Sequence, residues 1–177
     1  MNLKLVELTP AYRPQLEEMM GRWLAREKAE DVTPWAIVRA DYRDFDRYLA
    51  GLNFETEDET HVPDRTFFCL DEDTGRFVGA VNLRLRLNRR LLEQGGHIGD
   101  GIRPSLRGRG YGTKMLALAL EKCRELGIYH VLVVCDKDNL ASARVIQKNG
   151  GILENEPVVD GCTIQRYWID LEKGEGQ

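Results

Sequence analysis

The sequence predicts an α/β fold of the α+β kind, with a mixed central sheet of about seven strands flanked by about four helices. Two observations support this prediction. Apolar residues recur with a period near two in some segments and near that of a helix in others, in the order β-α-α-β-β-β-α-β-α-β-β. The 177 residues suit one domain and contain no repeat or linker, so we expect a single domain over 1–171 and a flexible tail over 172–177.

The first third of the chain predicts one strand, two helices and an acidic loop. Residues 3–8 alternate between apolar and polar side chains, which is the pattern of a half-buried strand. One helix is expected over 10–30 and a second over 34–50, where Thr33 is the expected N-cap. Residues 53–65 break both periods and are rich in acidic side chains, so we expect a loop there, on the substrate side.

The rest of the chain predicts strands on either side of one strand–helix–strand unit. Strands are expected over 66–70, 76–87, 96–103, 128–135, 152–159 and 162–171. Helices are expected over 111–126 and 139–149. The dipeptide Asp160-Gly161 between the last two strands is a strong hairpin signal. The strand–helix–strand unit over 96–135 is expected to be a right-handed parallel crossover.

Composition and charge argue against several classes of function. A net charge of −4 and a pI near 5.5 give no general attraction to nucleic acid or anionic membranes, so we expect neither as a partner. No apolar run reaches the roughly 20 residues of a membrane span, and the N-terminus lacks a signal-peptide pattern, which predicts a cytoplasmic location. The four cysteines are scattered, so we expect no metal site and a reducing compartment.

The stretch GDGIRPSLRGRGYG at 99–112, between a predicted strand and a predicted helix, carries the strongest functional signal. Its last three glycines allow the backbone to approach an anion without a clash from Cβ. The start of the helix adds unpaired N–H groups and the positive end of the helix dipole. Arg107 and Arg109 add charge. Together these features predict a pyrophosphate site.

Three kinds of nucleotide site compete for this stretch. A Walker loop needs adjacent Gly and Lys, but Thr113 separates Gly112 from Lys114. The dinucleotide fingerprint is G-x-G-x-x-G, whereas this loop reads G-x-G-x-G. Asp136 follows a strand as that fingerprint requires, yet only one βαβ unit is predicted and a dinucleotide fold needs several. A site of the coenzyme A type is the third alternative.

The pattern R-x-x-G-x-G at 107–112, preceded by IRPS at 102–105, resembles the signature loop of the GCN5-related N-acetyltransferases, the GNAT family. The downstream N-x-x-S at 139–142 and KNGG at 148–151 are similar to that family as well. The predicted order of elements also matches, so the resemblance covers nearly the whole chain, with its strong motifs between 97 and 151. The segments GHIGDGIRPS, CDKDN and KNGG are similar to those of a bacterial subgroup of predicted acetyltransferases.

This resemblance implies that acetyl-CoA is the donor and that its pantetheine lies where the strands before and after the helix splay apart. Backbone groups near Ile102 and Arg103 would bind pantetheine, and one N–H there would polarise the thioester carbonyl. Phosphates would lie on the loop, and Asn139 would contact the region between them and the pantetheine. The cofactor-binding residues that the resemblance implies are Ile102, Arg103, Arg107, Gly108, Arg109, Gly110, Tyr111, Gly112, Thr113, Asn139 and Ser142.

The catalytic residues follow less directly, because this sequence departs from the family pattern. An amine with a pKa of about 10 must lose a proton before it attacks. Family members often use a Glu on the strand before the loop as base and a Tyr seven residues after the Asn as acid. Here that strand has no Glu, and the residue seven positions after Asn139 is Ile146. We therefore predict His97, slightly favoured, or Asp100 as base, and Tyr167 as a possible acid.

The predicted function is an acetyl-CoA-dependent N-acetyltransferase that moves an acetyl group to a primary amine by direct attack on the thioester. The acceptor is a small-molecule amine or a peptide amine: a polyamine, an amino sugar, an amino acid or a protein N-terminus. A catalytically silent CoA-binding module is the alternative, because Ile146 and the missing Glu leave two roles open. A homodimer through the C-terminal strands would agree with the resemblance.

Overall fold

The structure is a computed structural model that describes residues 1–172. Its described part contains eight strands: β1 Leu3–Val6, β2 Asp64–Asp71, β3 Arg76–Arg84, β4 Ile98–Ile102, β5 His130–Asp136, β6 Ile152–Asn155, β7 Val158–Val159 and β8 Cys162–Asp170. It also contains four α-helices: α1 Arg13–Leu24, α2 Phe45–Ala50, α3 Tyr111–Glu125 and α4 Leu140–Lys148. Short 3-10 turns lie at Pro10–Tyr12, Ala29–Asp31, Trp35–Ile37 and Pro104–Leu106, and a π-helical turn at Leu91–Gly95. Of the predicted tail, residues 173–177 lie outside the described part.

The strands form two antiparallel sheets that adjoin at β4 and β5. One sheet has the order β1-β2-β3-β4, and the other the order β5-β8-β6 with β7 also paired to β8. All ladders among the described residues are antiparallel, so strand pairing is more uniform than the predicted mixed sheet. The α+β class and the separation of β4 from β5 are confirmed.

Apolar residues cover both faces of the first sheet. On one face, Val78 and Val81 of β3 pack in a core with α3, including Met115 and Leu116. On the other face, residues of α1 and α2 pack with Ala80 and the stacked rings of Phe68 and Phe77 in a second core, which contains Leu16, Met19, Met20, Trp23, Phe45 and Tyr48. A sheet buried on both faces orients β4 rigidly, and β4 carries the predicted bases.

The predicted helix over 34–50 is wrong in its middle, where the chain is not helical. Only the turn at Trp35–Ile37 and α2 are helical. Asp41 interrupts the helix, because its Oδ1 accepts the backbone N–H of Arg43 at 3.0 Å, and such local turns compete with helical hydrogen bonds. Pro34 follows a cis peptide bond and stands at the N-cap of the turn, one position after the predicted cap.

Most other predicted elements are confirmed, with changes at their ends. Helix α1 ends at Leu24 rather than near residue 30, whereas α3 matches its predicted range to within one residue. The hairpin between β7 and β8 is confirmed, with φ of +50° at Asp160 and +81° at Gly161. Within residues 1–172, no helix has the length and apolar character that crossing a membrane requires.

Candidate active site

The loop before α3 is open on the side where an anion would approach. Gly108 and Gly110 have φ of +74° and +86°, in the left-handed region that glycine adopts without strain. A Cβ built on either residue would meet no heavy atom within 4 Å, so the space beside them is free of protein. Gly110 is the N-cap of α3, and because glycine has no side chain it provides no capping hydrogen bond to the first turn. The end of the helix is therefore exposed.

Unpaired donors line this loop. The backbone N–H groups of residues 108–113 donate no hydrogen bond to any residue in the described part of the chain. Arg109 is exposed and makes no ion pair within residues 1–172. Consecutive free N–H groups, the positive end of the α3 dipole and a free guanidinium are the groups that bind phosphate. The residues present therefore fit the pyrophosphate of CoA.

Two arginines predicted to contact the cofactor use their side chains to hold the loop against α1. The guanidinium of buried Arg103 lies 2.6 and 3.1 Å from the two carboxylate oxygens of Glu18. Arg107 pairs with both carboxylate oxygens of Glu27 and donates from Nε to the Ile102 carbonyl at 2.9 Å. These hydrogen bonds hold the pKa of both glutamates below their usual range. Both guanidinium groups are therefore engaged by carboxylates of the protein.

Strands β4 and β5 touch at one point and are otherwise unpaired. The backbone N–H of His97 donates to the Leu132 carbonyl at 2.8 Å, and the Leu132 N–H donates to His97 Nδ1 at 2.9 Å. Within the described residues, no other backbone hydrogen bond joins the two strands. A gap between β4 and β5 therefore begins after His97 and continues toward the glycine loop.

Backbone groups from both strands face this gap. His97 and Arg103 hydrogen-bond to β3 through their backbones. Because bonded and non-bonded residues alternate in an antiparallel ladder, the N–H and C=O groups of Asp100 and Ile102 point away from β3. The same alternation along the β5–β8 ladder directs the backbone N–H and C=O groups of Val134 away from β8. Pantetheine, an extended chain with two amides, fits two such edges as an added strand would.

Asp100 is a half-buried carboxyl on β4. Burial raises its pKa to about 6, and the positive charge of Arg84 opposes part of that rise. Burial raises the pKa of Cys135 on β5 to about 11, and the charges of Asp136 and then of Asp100 contribute to this rise. A carboxyl with a pKa near 6 is mostly ionised at neutral pH and still basic enough to accept a proton.

His97 lies where the two sheets join, and its ring is committed to that junction. It is 7% exposed, and Nδ1 already accepts the Leu132 N–H. In the neutral ring the proton is then on Nε2, so neither nitrogen has a free lone pair for a substrate proton. Burial, followed by the charges of His130 and Arg84, lowers its pKa to about 4. This geometry favours Asp100 over His97 as the base.

Tyr167 does not face the gap, which corrects its assignment as a possible acid. Its ring is 1% exposed in the core beneath α3 and α4. The hydroxyl donates to Gln165 Oε1 at 2.9 Å and accepts from Gln147 Nε2 at 3.3 Å. Ile146 is buried in the same core. Neither residue can therefore reach a departing thiol without rearrangement of the core.

The remaining predicted cofactor residues surround the starts of α3 and α4. Asn139 is the N-cap of α4, where its Oδ1 accepts the Ser142 N–H at 3.1 Å. The Tyr111 hydroxyl donates to Asp71 Oδ2 at 3.2 Å, and the Thr113 carbonyl accepts from Asn149 at 3.2 Å. These contacts leave the backbone N–H groups of Tyr111 and Thr113 free. Contact of Asn139 and Ser142 with the cofactor stays a prediction.

A cavity of about 470 Å³ lies beside the end of β3. It is bounded by the turn at Trp35–Ile37, the acidic loop and the π-helical turn, and its side chains include Trp35, Arg39, Phe54, His61, Asp64 and Arg84. A Cβ built on Gly99 would lie 2.8 Å from Arg84 Nη2, so the cavity reaches β4 next to Asp100. Its position supports the prediction that the acidic loop lies on the substrate side.

Sequence reasoning missed the polar residues of this cavity. Arg39 is placed within the predicted second helix, Asp64 in the predicted loop and Arg84 at the end of a strand, with no shared motif. Only the fold brings them together, and Arg39 pairs with Asp64 across 25 positions of sequence. No local sequence pattern singles these residues out. No cluster of three or more potential metal ligands occurs within residues 1–172.

An α+β domain with an uncapped glycine loop and two unpaired strand edges defines a CoA-binding acyltransferase. Residues 2–152 match the family model of the acetyltransferase (GNAT) domain, which covers most of the chain. The chain therefore belongs to the GNAT family: it is an N-acetyltransferase that uses acetyl-CoA. No curated protein sequence matches it significantly.

Solved structures share the fold over nearly the whole chain at low identity. The ribosomal L7/L12 α-N-protein acetyltransferase RimL, in complex with coenzyme A, has a TM-score of 0.67 and 15% identity, covering 98% of this chain and 96% of its own. The spermidine/spermine N-acetyltransferase SpeG from Vibrio cholerae has a TM-score of 0.60 and 17% identity, covering 96% and 95%. The N-acetyltransferase PseH from Campylobacter jejuni, in complex with acetyl coenzyme A, has a TM-score of 0.58 and 14% identity, covering 97% and 100%.

Proposed function

We propose that this enzyme transfers the acetyl group of acetyl-CoA to a primary amine by direct attack, without an acyl-enzyme. The observation that supports this most is the position of Asp100. A carboxyl with a raised pKa lies on β4, where unpaired backbone groups border the gap and the cavity approaches from the other side. Bound acetyl-CoA supplies an activated acetyl group, and the chain supplies binding, orientation and removal of a proton.

In this proposal the loop and both strand edges hold the cofactor. The N–H groups of residues 108–113 and the Arg109 guanidinium bind its phosphates. Free backbone groups of Asp100 and Val134 bind pantetheine, and the N–H of Ile102 is our candidate donor to the acetyl carbonyl oxygen. Asn139 and Ser142, at the start of α4, are our candidates for further contacts with the cofactor.

Asp100 acts as the base, and no side chain acts as the acid. The carboxylate takes a proton from the acceptor ammonium, directly or through one water, so that the neutral amine can react. With Ile146 and Tyr167 buried, the CoA thiolate takes its proton from water. A thiol with a pKa of about 8.5 leaves as a thiolate at neutral pH without obligatory help.

A screen of amines with acetyl-CoA tests this proposal, with release of the CoA thiol as the readout. Polyamines, amino sugars, amino acids and peptide N-termini form the four arms of the screen. We expect thiol release above the hydrolysis rate in at least one arm, and N-acetylated product of the same amount by mass spectrometry. Tight CoA binding with no acetylated product in any arm would contradict the proposal.

The cellular setting and the assembly are also proposals. We infer a reducing cytoplasm, which the four free cysteines Cys69, Cys123, Cys135 and Cys162 support. We infer a homodimer through the C-terminal strands, because Ile152 and Val158 there are 72% and 70% exposed and isolated apolar edges favour association. Light scattering on the wild type and an Ile152→Glu variant tests this, and a monomeric wild type would contradict it.

A further inference from the structure

The cavity beside β4 has an excess of positive charge. Arg39, Arg84 and Arg90 line it, and Asp64 is the one carboxylate among its described lining residues. That carboxylate is already bound on both oxygens: Oδ2 accepts Arg39 Nη2 at 2.9 Å, and Oδ1 accepts the Phe54 N–H at 2.7 Å. Asp64 therefore positions Arg39 and offers little to a cationic ligand.

Arg39 has donors without acceptors. Its side chain is 9% exposed, and its Cζ lies 3.9 Å from the centre of the Phe54 ring and 5.0 Å from that of Trp35. Nε and Nη1 are buried and have no hydrogen-bond partner in residues 1–172. Buried donors are nearly always paired, because leaving them unpaired is unfavourable. A ligand that brings acceptor oxygens to this cavity would satisfy them.

Arg84 and Arg90 are not neutralised either. Arg84 donates to the Gly95 carbonyl at 3.3 Å and makes no ion pair with a described residue. Burial lowers its pKa to about 10; within that shift the charges of Arg39 and Arg90 act in the same direction and those of Asp64 and Asp100 oppose it. Arg90 is exposed and likewise has no ion pair within the described chain.

The acidic loop does not offset this charge, because most of its carboxylates have partners. Glu55 pairs with Arg65 at 3.2 Å, and Glu57 pairs with Arg86. Arg65 and Arg86 do not line the cavity, so these two acids are directed away from it. The charge that a ligand meets in the cavity is that of the guanidinium groups.

We propose that the acceptor is a small amine that also carries an anionic oxygen group, a carboxylate or a phosphate, which Arg39 and Arg84 bind in this cavity. This inference rests on the proposed function and specifies its substrate class. Arg84 lies over Gly99 on β4, so an anion bound there leaves the amine a few bonds away, at the edge of β4 that borders the gap. Polyamines and other polycations are disfavoured by the same charges.

Matched pairs of ligands test the inference by calorimetry, without acetyl-CoA. Lysine is compared with cadaverine, glycine with methylamine, and phosphoethanolamine with ethanolamine. We expect the anionic member of at least one pair to bind at least tenfold more tightly than its partner. The first two pairs report on carboxylate and the third on phosphate, so the pair that responds identifies the source of the anion.

Variants then assign the preference to the cavity. Arg84→Gln should weaken binding of the anionic ligand at least tenfold and should not weaken binding of the pair member that lacks the anion. Arg84→Gln leads the test, because Arg39→Gln would leave Asp64 buried without its cation and could prevent folding. Arg89→Gln is the matched control, since exposed Arg89 pairs with Glu93 and does not line the cavity.

The outcomes separate this inference from the proposed function. It is overturned if no anionic ligand binds more tightly than its partner, or if Arg84→Gln and Arg89→Gln have equal effects. Acetylation of amines that lack an anion, with no preference between pair members, would overturn the inference and leave the proposed function intact. Selective anion binding with no acetyl transfer to any ligand would contradict the proposed function alone.

Discussion

The imidazole Nδ1 of His97 accepts the backbone N–H of Leu132 at 2.9 Å, across the junction of the two sheets. Together with the hydrogen bond from His97 N–H to the Leu132 carbonyl, this contact joins β4 to β5 at the closed end of the gap. A side chain thus replaces a ladder hydrogen bond where the strands begin to separate. His97 positions the two strands, and we propose that Asp100 is the residue that acts on the acceptor.

Replacing His97 by Gln should change the pH dependence of stability and spare catalysis. Because its pKa falls to about 4 in the folded protein, the unfolded state binds the extra proton as pH drops. Wild type should lose up to about 3 kcal/mol relative to the variant between pH 6.5 and pH 4. Chemical denaturation across that range measures the difference. Parallel stability curves for the two proteins would contradict the assignment.

Replacing Asp100 by Asn should remove the base. Wild-type kcat/KM should rise with pH through the pKa of about 6, as the carboxyl ionises. The variant should lose roughly 10²–10⁴-fold in kcat/KM and most of that acidic limb. The pH profile of His97→Gln is the control and should keep the limb. If instead His97→Gln loses the limb and Asp100→Asn keeps it, the two roles are reversed.

The same Asp100→Asn variant should be more stable than wild type above pH 6. A raised pKa means that the folded state favours the protonated carboxyl, so this contribution to stability is present below about pH 4 and lost as pH rises through about 6. The difference at pH 8 should be on the order of 2 kcal/mol in favour of the variant. Thermal unfolding at pH 4.5 and pH 8 measures it, and also shows that lost activity is not lost folding.

Replacing Gly110 by Val should weaken CoA binding by roughly tenfold or more. A β-branched residue is strained at a φ of +86°, and its side chain would enter the open space beside the free N–H groups. Gly127→Val is the matched control, because Gly127 has a φ of +77° and equally open surroundings beyond the other end of α3. Calorimetry with CoA compares them. Equal losses of affinity would mean that strain in α3, and not the loop, is responsible.

Replacing Tyr167 by Phe should leave turnover unchanged and reduce stability by about 1 kcal/mol. The variant loses the hydroxyl that bonds to Gln165 and Gln147, in a core position away from the gap. Steady-state kinetics with the best acceptor, together with denaturation, measure the two effects. A large fall in kcat with unchanged stability would restore Tyr167 as the acid.

Local chemistry made much of the fold and the cofactor site predictable. The apolar face of α3, the Asp160-Gly161 turn and the glycines before α3 are short-range patterns, and each forms the predicted structure. The helix over 34–50 failed, because Asp41 forms a turn that the apolar period does not reveal. The partners of long charged side chains were not predictable from local sequence: Arg103 and Arg107 pair with Glu18 and Glu27 of distant segments.

The sequence by itself determined the class of enzyme, since backbone N–H groups freed by glycines at a helix start need no distant residue to bind phosphate. Only the tertiary structure favours Asp100 over His97 as the base, because burial shifts both pKa values and Leu132 occupies Nδ1 of His97. It alone also assembled the arginine-lined cavity, whose residues come from separate segments. The proposed base and acceptor site depend on long-range neighbours, whereas the candidate phosphate site lies on one continuous loop.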